Sequence, residues 1–402
     1  MRIAFITPEF VTESYFAGGL AQYLGRFVPA LVKRGHHVEV FVIGKEQGRF
    51  LYEGATVYRV VPKKWLPLRI ANGVCRITGK SRLAKTQRMC SVAKGLDEAL
   101  RARDKEVAFD IIQATNWMIT GFFAVRRPVA PVVIRMSSYS QMCDEAQGIK
   151  PTLDKRISYY FERVSLSSAS AVYSPSRFLA ESIHKITGIK AHVVRPLFYI
   201  NENMEDDNTA IEKLADWPNY LLFFGRLANY KGAYLLAQAI EPLLEKIPDL
   251  NLVMAGPCEK DNGAKRLIDL TVSFPKRARY LGILPQAQLR PVLRKARAVV
   301  LPSLMDNLPN TCIEAMGLGK LVIGPKGISF DEMIEDGKSG LLFRMGDAVS
   351  LRDTIVEGWK LSESERMNIE NAAKIRIKEI ASEKAIDDIE KFYERVIADT
   401  AR

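Results

Sequence analysis

The chain has 402 residues, 48% of them hydrophobic and 26% charged. That balance suits a soluble globular protein with two or three cores and excludes a disordered or fibrous chain. The formal charge of +12 is local: between Gly54 and Leu96 there is no Asp or Glu but ten Lys and Arg, which leaves +2 for everything else. Five cysteines and four histidines fall at no disulfide or metal-ligand spacing. No apolar run reaches membrane-spanning length, and the N-terminus MRIAFITPEF reads as a strand rather than a leader. The expectation is a cytoplasmic protein with reduced thiols.

Taken in order, residues 2–7 form an apolar strand, followed by a loop through Gly18 and Gly19 and an amphipathic helix. Glycines there let backbone approach a ligand and aim N–H groups at it. Residues 38–43 and 56–61 are the next two strands. The basic stretch follows, its cations Arg59, Lys63, Lys64, Arg69, Arg76, Lys80, Arg82, Lys85, Arg88 and Lys94 interleaved with Trp65, Leu66, Leu68 and Ile70. Two readings stand side by side. The segment lies on an anionic membrane surface, each cation contributing on the order of 1 kcal/mol; or it is a solvated face turned to an acidic or phosphorylated acceptor, or simply to water. Residues 109–113 and 132–136 are short buried strands, with Gln113, Thr115 and Asn116 after the first and Ser137 after the second. A helix over 155–170, a strand over 171–175 and a second helix ending at Gly188 complete this part. The polar, acidic stretch 201–208 is the best linker.

Beyond it, the strand 220–224 runs into Gly225-Arg226-Leu227-Ala228-Asn229-Tyr230-Lys231-Gly232 and a helix. A loop with two cations five residues apart, leaving a buried strand and entering a helix, suits a diphosphate. At about 4 Å and an effective dielectric near 20, each cation–phosphate pair is worth roughly 4 kcal/mol before desolvation, against about 0.3 to 1 from a helix terminus. Strands at 252–256, 278–282, 298–301 and 320–324 each precede a turn and helix, the alternation of a parallel doubly wound sheet. Residues 332–340 read as helix and turn, 341–343 as a strand, and 348–402 as a long charged helical region.

The organising stretch is 299–325, VVLPSLMDNLPNTCIEAMGLGKLVIGP, where a short strand, a polar turn and a helix bearing Glu314 follow in a row. Thr311-x-x-Glu314 can be a capping box, the Glu closing on the helix N-cap. It can equally be half of a pair of carboxylates, with Asp306, at the mouth of a sheet.

That second reading follows a resemblance. The phrases GG-x15-GHxVxV, GRLxxxKG and DNLPNTCIEAMGLGKLVI resemble the GT-B glycosyltransferases, family four in particular, which carry Glu-x7-Glu at such a turn; here it is Asp306-x7-Glu314, one methylene shorter. The resemblance covers most of the chain and is strongest over 221–343. It implies an α/β fold of two Rossmann-like doubly wound parallel-sheet domains facing a central cleft. Residues 1–200 would be the acceptor side, 201–385 would bind the nucleotide sugar, and 386–402 would be a helix crossing back to the first. It implies a retaining transfer of a sugar from a nucleotide diphosphate donor to an acceptor hydroxyl, within polysaccharide, lipopolysaccharide or glycolipid synthesis. Domain closure would exclude water.

Carried over by position, Asp306, Arg226 and Lys231 are the catalytic candidates. Gly18, Gly19, Arg226, Lys231, Leu284, Asn307, Leu308, Pro309, Asn310 and Glu314 are the donor contacts. Backbone N–H groups of residues 307–310 would hold the sugar, and Glu314 the ribose. Asn116 and Ser137 are the acceptor-side candidates; Ser137 stands where the family has His, so it can hydrogen-bond but not act as an imidazole. No Asp-x-Asp is present, so no metal and no cofactor is expected, the cations taking that electrostatic part. The partners expected are a nucleotide sugar, a saccharide or lipid-linked acceptor and, on the first reading of the basic segment, an anionic inner membrane face; no nucleic acid is expected, since no recognition module is present. A GT-B nucleotide-sugar epimerase and a degenerate GT-B binding protein are the two rivals.

Overall fold

The computed structural model describes residues 1–13, 19–65, 67, 73, 83–197, 205–381 and 384–401. Gly18, the cations Arg69, Arg76, Lys80 and Arg82, the apolar Leu66, Leu68 and Ile70, and linker positions 201–204 lie outside the described residues. Two compact units divide the chain: Met1–Leu197 with Glu383–Arg402, and Phe198–Ser382.

In the first unit the strands are β1 (Arg2–Thr7), β2 (His37–Ile43), β3 (Gly48–Tyr52), β4 (Ala55–Val60), β5 (Ile111–Thr115), β6 (Val132–Arg135), β7 (Ala171–Ser174) and β8 (His192–Val193). Among the described residues they form one sheet in the order β3-β4-β2-β1-β5-β6-β7-β8, parallel except where β3 turns back on β4. The hairpin strand β3 is not foreseen, because GRFLY lacks an alternating apolar pattern and none of its residues is fully buried. β5 begins two residues later than expected and ends at Thr115, which places Gln113 inside the strand rather than after it. The chain reverses direction of travel between β1 and β5, so the carboxyl ends of those strands flank a topological switch point. The C-terminal helix Lys384–Thr400 closes this unit's core: Ile386, Ile389, Phe392 and Tyr393 pack with Phe5, Phe27, Val40 and Tyr173.

The second unit holds β9 (Leu221–Phe224), β10 (Leu252–Ala255), β11 (Ala278–Tyr280), β12 (Ala298–Val300), β13 (Val322–Lys326) and β14 (Leu341–Arg344). Their order β11-β10-β9-β12-β13-β14 is the doubly wound 3-2-1-4-5-6 arrangement, all parallel, with the switch point between β9 and β12. β9, β10 and β12 are buried along their whole length, because helices cover both faces of the sheet. Two expectations change here. Residues 332–340 hold no helix; a 3-10 turn, Ser329–Glu332, is followed by turns, since Gly337 takes φ +73° and Gly340 presses against Ile334 and the Val322 carbonyl. The charged region after residue 348 is three helices, Ala348–Lys360, Glu363–Ile380 and Lys384–Thr400, the middle one opened by a Ser362–Glu365 capping box. Of the linker stretch, Asp206 and Asp207 are tied down, Asp206 to Arg290 and Arg294 and Asp207 to Gln288.

Candidate functional site

At the switch point of the second unit, the loops leaving β9 and β12 come together. Gly232 makes this approach, and Gly256 brings the loop after β10 onto the loop after β9. Gly232 takes φ +78° and presses on Pro302, where a Cβ would stand 1.8 Å from the carbonyl oxygen; Gly256, at φ +132°, would put a Cβ 1.9 Å from the Gly225 carbonyl oxygen. The Leu304 N–H donates to the Tyr230 carbonyl at 3.0 Å and stitches the two loops.

Lys231 and Asp306, 75 residues apart in sequence, meet here: Nζ lies 2.5 Å from Oδ2, with 26% and 12% of their side chains exposed. Ser303 Oγ donates to the same Oδ2 at 3.0 Å, and the Asn307 N–H donates to Oδ1 at 3.1 Å. Arg226 pairs with Glu259 in the loop after β10, both nearer the surface. The four charges surround Tyr230. Burial raises its phenol, Lys231 and Arg226 pull it down, and Asp306 and Glu259 push it up. Lys231 Nζ also lies 5.6 Å from its ring centroid.

The turn 306–310 is tightly specified. Leu308 takes φ +54°, unusual for a residue with a side chain, and its own side chain is buried. Ser329 holds it there: Ser329 Oγ accepts from the Leu308 N–H at 2.9 Å and donates to the Asp306 carbonyl at 3.0 Å. Two of the N–H groups expected to hold a sugar, those of Asn307 and Leu308, are therefore committed inside the turn, and Pro309 has none. The helix Asn310–Gly317 begins one residue earlier than expected, with Pro309 as its N-cap and no side-chain cap. The capping-box reading of Thr311 and Glu314 therefore falls, because Thr311 is already inside the helix; Glu314 is half-buried in its second turn. Cys312, Ile313, Ala315 and Met316 anchor the helix in the core. Gly225 brings the β9 loop to the same place, a Cβ there standing 3.2 Å from Thr311 Cγ2. Leu284 is half-buried in the loop after β11, beside the exposed Ile283.

The first unit places its candidates differently. Gly19 opens the helix Gly19–Lys33, but the anion at that helix start is the chain's own: the Ala21 N–H donates to the buried Glu9 carboxylate at 3.2 Å. Gln113 lies in the core, its Oε1 accepting from the Tyr173 hydroxyl at 2.7 Å and from the Tyr393 hydroxyl. Asn116 is buried and spends its amide internally. Nδ2 donates to Glu162 Oε1 at 2.7 Å and to the Ser138 carbonyl, and Oδ1 accepts from the Ser137 N–H at 2.8 Å. Glu162, which also accepts from the Ser140 N–H, is pushed up to about 7 by burial against the pull of Ser140 and Asn116. Asn116 thus shapes the strand end, while the Ser137 hydroxyl stays beside it, 2.9 Å from Arg135 Nη1 and 3.4 Å from Thr115 Oγ1.

In the basic segment, Trp65 packs edge-on against Phe122, Phe123 and Phe161, so its ring is used inside the unit. Arg59 is held by the buried Glu13, and Lys63 and Lys94 share Glu98. No helix among the described residues is long and apolar enough to cross a membrane.

Sequence reasoning did not find Ser303, Ser329, Glu259 or Tyr230. Tyr230 lies within the loop phrase and Ser303 within the stretch 299–325, three residues before Asp306; Ser329 and Glu259 have no local signal, because each is brought in from a different strand end.

Comparison with known proteins agrees with this geometry. The model of the family Glycosyl transferase 4-like domain matches residues 18–197, and that of Glycosyl transferases group 1 matches residues 218–360. An uncharacterised glycosyltransferase of Methanocaldococcus jannaschii is 24% identical over 356 residues, covering 85% of this chain and 84% of that protein. The D-inositol 3-phosphate glycosyltransferase of Corynebacterium efficiens is 29% identical over 138 residues, 33% of this chain and 32% of that protein. Among solved structures, sucrose-phosphate synthase from Thermosynechococcus elongatus aligns at TM-score 0.78 and 17% identity over 99% of this chain and 100% of that one. Anabaena HepE, solved with UDP and glucose, aligns at 0.71 and 16% over 98% and 99%. Two doubly wound sheets, the charged switch point and the two matching family models agree: the chain belongs to the GT-B glycosyltransferases of family four.

Proposed function

We propose that this glycosyltransferase moves a hexose, with retention of configuration and without a metal, from a nucleotide diphosphate sugar to an acceptor hydroxyl. The observation that carries the reading is the Lys231–Asp306 pair at the switch point of the second unit's sheet, with Arg226 in the same β9 loop held by Glu259. HepE, a fold neighbour, is solved with UDP-glucose, which favours a nucleotide sugar as donor. In this reading the diphosphate takes the place of the carboxylates on Arg226 and Lys231, and the two cations stabilise it as it leaves. Asp306, once released by Lys231, faces the sugar whose anomeric carbon becomes electron-poor. Glu314 accepts from the ribose hydroxyls, and the loop around Leu284 lies toward the base. Retention follows from the family; no side chain is assigned as a nucleophile.

On the acceptor side, Ser137 offers a hydroxyl at the end of β6. A saccharide or lipid-linked acceptor, in polysaccharide, lipopolysaccharide or glycolipid synthesis, is the class proposed. Contact with an anionic membrane face would rest on cations of the basic segment other than the paired Arg59, Lys63 and Lys94, and sedimentation with anionic against neutral vesicles tests it.

The direct test of the donor is a thermal-shift series of nucleoside diphosphates and nucleotide sugars, with and without a chelator. Binding to the folded chain at a hundredfold excess over Kd stabilises it by about 2.7 kcal/mol. A chelator-insensitive shift with one nucleotide supports the reading and identifies the donor class. No shift with any of them favours a binding protein that has lost catalysis, and a shift abolished by chelator removes metal independence.

A further inference from the structure

Three cations of the described chain are buried: Arg135, Arg290 and Lys320. Two hold carboxylates, Arg290 with Asp206 at 3.3 Å and Lys320 with Glu370 at 3.5 Å. Arg135 holds none among the described residues. It is 7% exposed at the carboxyl end of β6; its Nη1 donates to Ser137 Oγ at 2.9 Å, and its guanidinium carbon lies 4.0 Å from the Tyr23 ring centroid. Beneath it are the neutral hydroxyls of Tyr23, Tyr173 and Tyr393, gathered around Gln113.

A guanidinium does not discharge when buried, so its lost hydration must be repaid. The aromatic face of Tyr23 and the neutral hydroxyls of Tyr23 and Ser137 repay part of that loss. The group that repays the rest is an anion, and the planar fork of Arg is matched to the two oxygens of a phosphate or carboxylate. The location is suitable as well. β6 neighbours β5 at the switch point of the first unit, and the crevice outside the carboxyl ends of such strands is where open α/β sheets bind ligands. Thr115 Oγ1, which accepts from the Trp117 N–H at 3.3 Å, lies 3.4 Å from Ser137 Oγ, so two hydroxyls adjoin the cation.

We propose that Arg135, with the hydroxyls of Thr115 and Ser137, is an anion-recognition point that takes a phosphate or carboxylate carried by the acceptor. The first unit therefore selects an anionic acceptor over a neutral one. The inference rests on the glycosyl-transfer reading above for the word acceptor, but the site itself lies entirely in the first unit. Arg135 positions and selects; it takes no part in bond making.

The test is titration calorimetry on the full chain with three probes of one scaffold, glucose 6-phosphate, glucuronic acid and glucose, and with UDP as the probe of the second unit. The expected result is that at least one charged sugar binds about tenfold or more tightly than glucose, and that Arg135→Gln removes this preference. Which charged probe wins tells a phosphate from a carboxylate. Arg135→Lys keeps the charge but not the fork, and should bind the charged probe more weakly than the native chain and more tightly than Arg135→Gln. It keeps the test open if Arg135→Gln fails to fold. Equal binding of charged and neutral sugars, undiminished binding by Arg135→Gln, or no binding of either charged probe to the native chain overturns the proposal. A loss of UDP binding in Arg135→Gln as large as the loss of the charged sugar also overturns it, since the anion would then be the donor's. Failure of UDP binding in the native chain, with the charged sugar still bound through Arg135, removes the donor assignment and leaves this one standing.

Discussion

Replacing Lys231 by Ala separates two roles that one contact combines. At 2.5 Å and an effective dielectric near 20, the Lys231–Asp306 attraction is about 6 to 7 kcal/mol before either group's desolvation is charged against it. With a quarter of the lysine side chain exposed, the net cost of deleting one partner is far smaller, about 1 to 2 kcal/mol of stability. The catalytic cost is larger. A missing cation at a departing diphosphate is comparable to a missing oxyanion-hole donor, about 2.7 to 4 kcal/mol, or 10² to 10³ in turnover. Lys231→Ala should therefore unfold at slightly lower urea, transfer sugar 10²- to 10³-fold more slowly and bind UDP at least about tenfold less tightly. The double variant with Asp306→Ala decides the cause. It should recover part of the lost stability, since no carboxylate is left unpaired, while UDP binding stays weak. Unchanged UDP affinity in Lys231→Ala would refute the assignment. So would recovery of UDP binding on removing Asp306, because Lys231 would then serve only to neutralise that carboxylate.

Three further outcomes follow from the same structure. Glu259→Ala frees Arg226 from an exposed competing pair worth about 0.2 to 1 kcal/mol, so UDP should bind up to about fivefold more tightly by calorimetry, whereas weaker binding would mean that Glu259 orients the arginine. Gly232→Ala forces a Cβ onto the Pro302 carbonyl at φ +78° and should cost more than about 2 kcal/mol in urea unfolding; a loss under about 0.5 kcal/mol would show that the two loops are not held so closely. Glu162, raised to about 7 in the folded chain from an ordinary 4.5, binds a proton on folding between those values, so stability should fall by about 3 kcal/mol as pH rises from 4.5 through 7. Glu162→Gln should flatten that part of the profile of melting temperature against pH, and an unaltered slope would place the titration elsewhere.

The sequence by itself determined the periodic parts of this protein. Runs such as Leu221–Phe224 and Leu252–Ala255, each buried on both faces and each followed by a glycine turn and an amphipathic helix, can satisfy their backbone and their apolar surface together only as a parallel doubly wound sheet. The loop phrase around Arg226 and Lys231 was legible for the same reason, since strand, glycine and helix start are neighbours in the chain. What it left open depends on contacts between segments distant in sequence. The pairing of Lys231 with Asp306, of Arg226 with Glu259 and of Leu308 with Ser329 joins different strand ends, and no local pattern encodes it. Asn116 looked like a ligand contact until Glu162, from a helix 46 residues on, took its amide. Between a capping box and a carboxylate pair for Glu314 the local pattern does not choose; the helix start at Asn310, one residue before Thr311, removes the capping box. Arg135 reads in the sequence as the polar end of a strand. Only the tertiary structure, by burying it over Tyr23 with no carboxylate of the described chain beside it, turns an ordinary arginine into a charge that needs a partner.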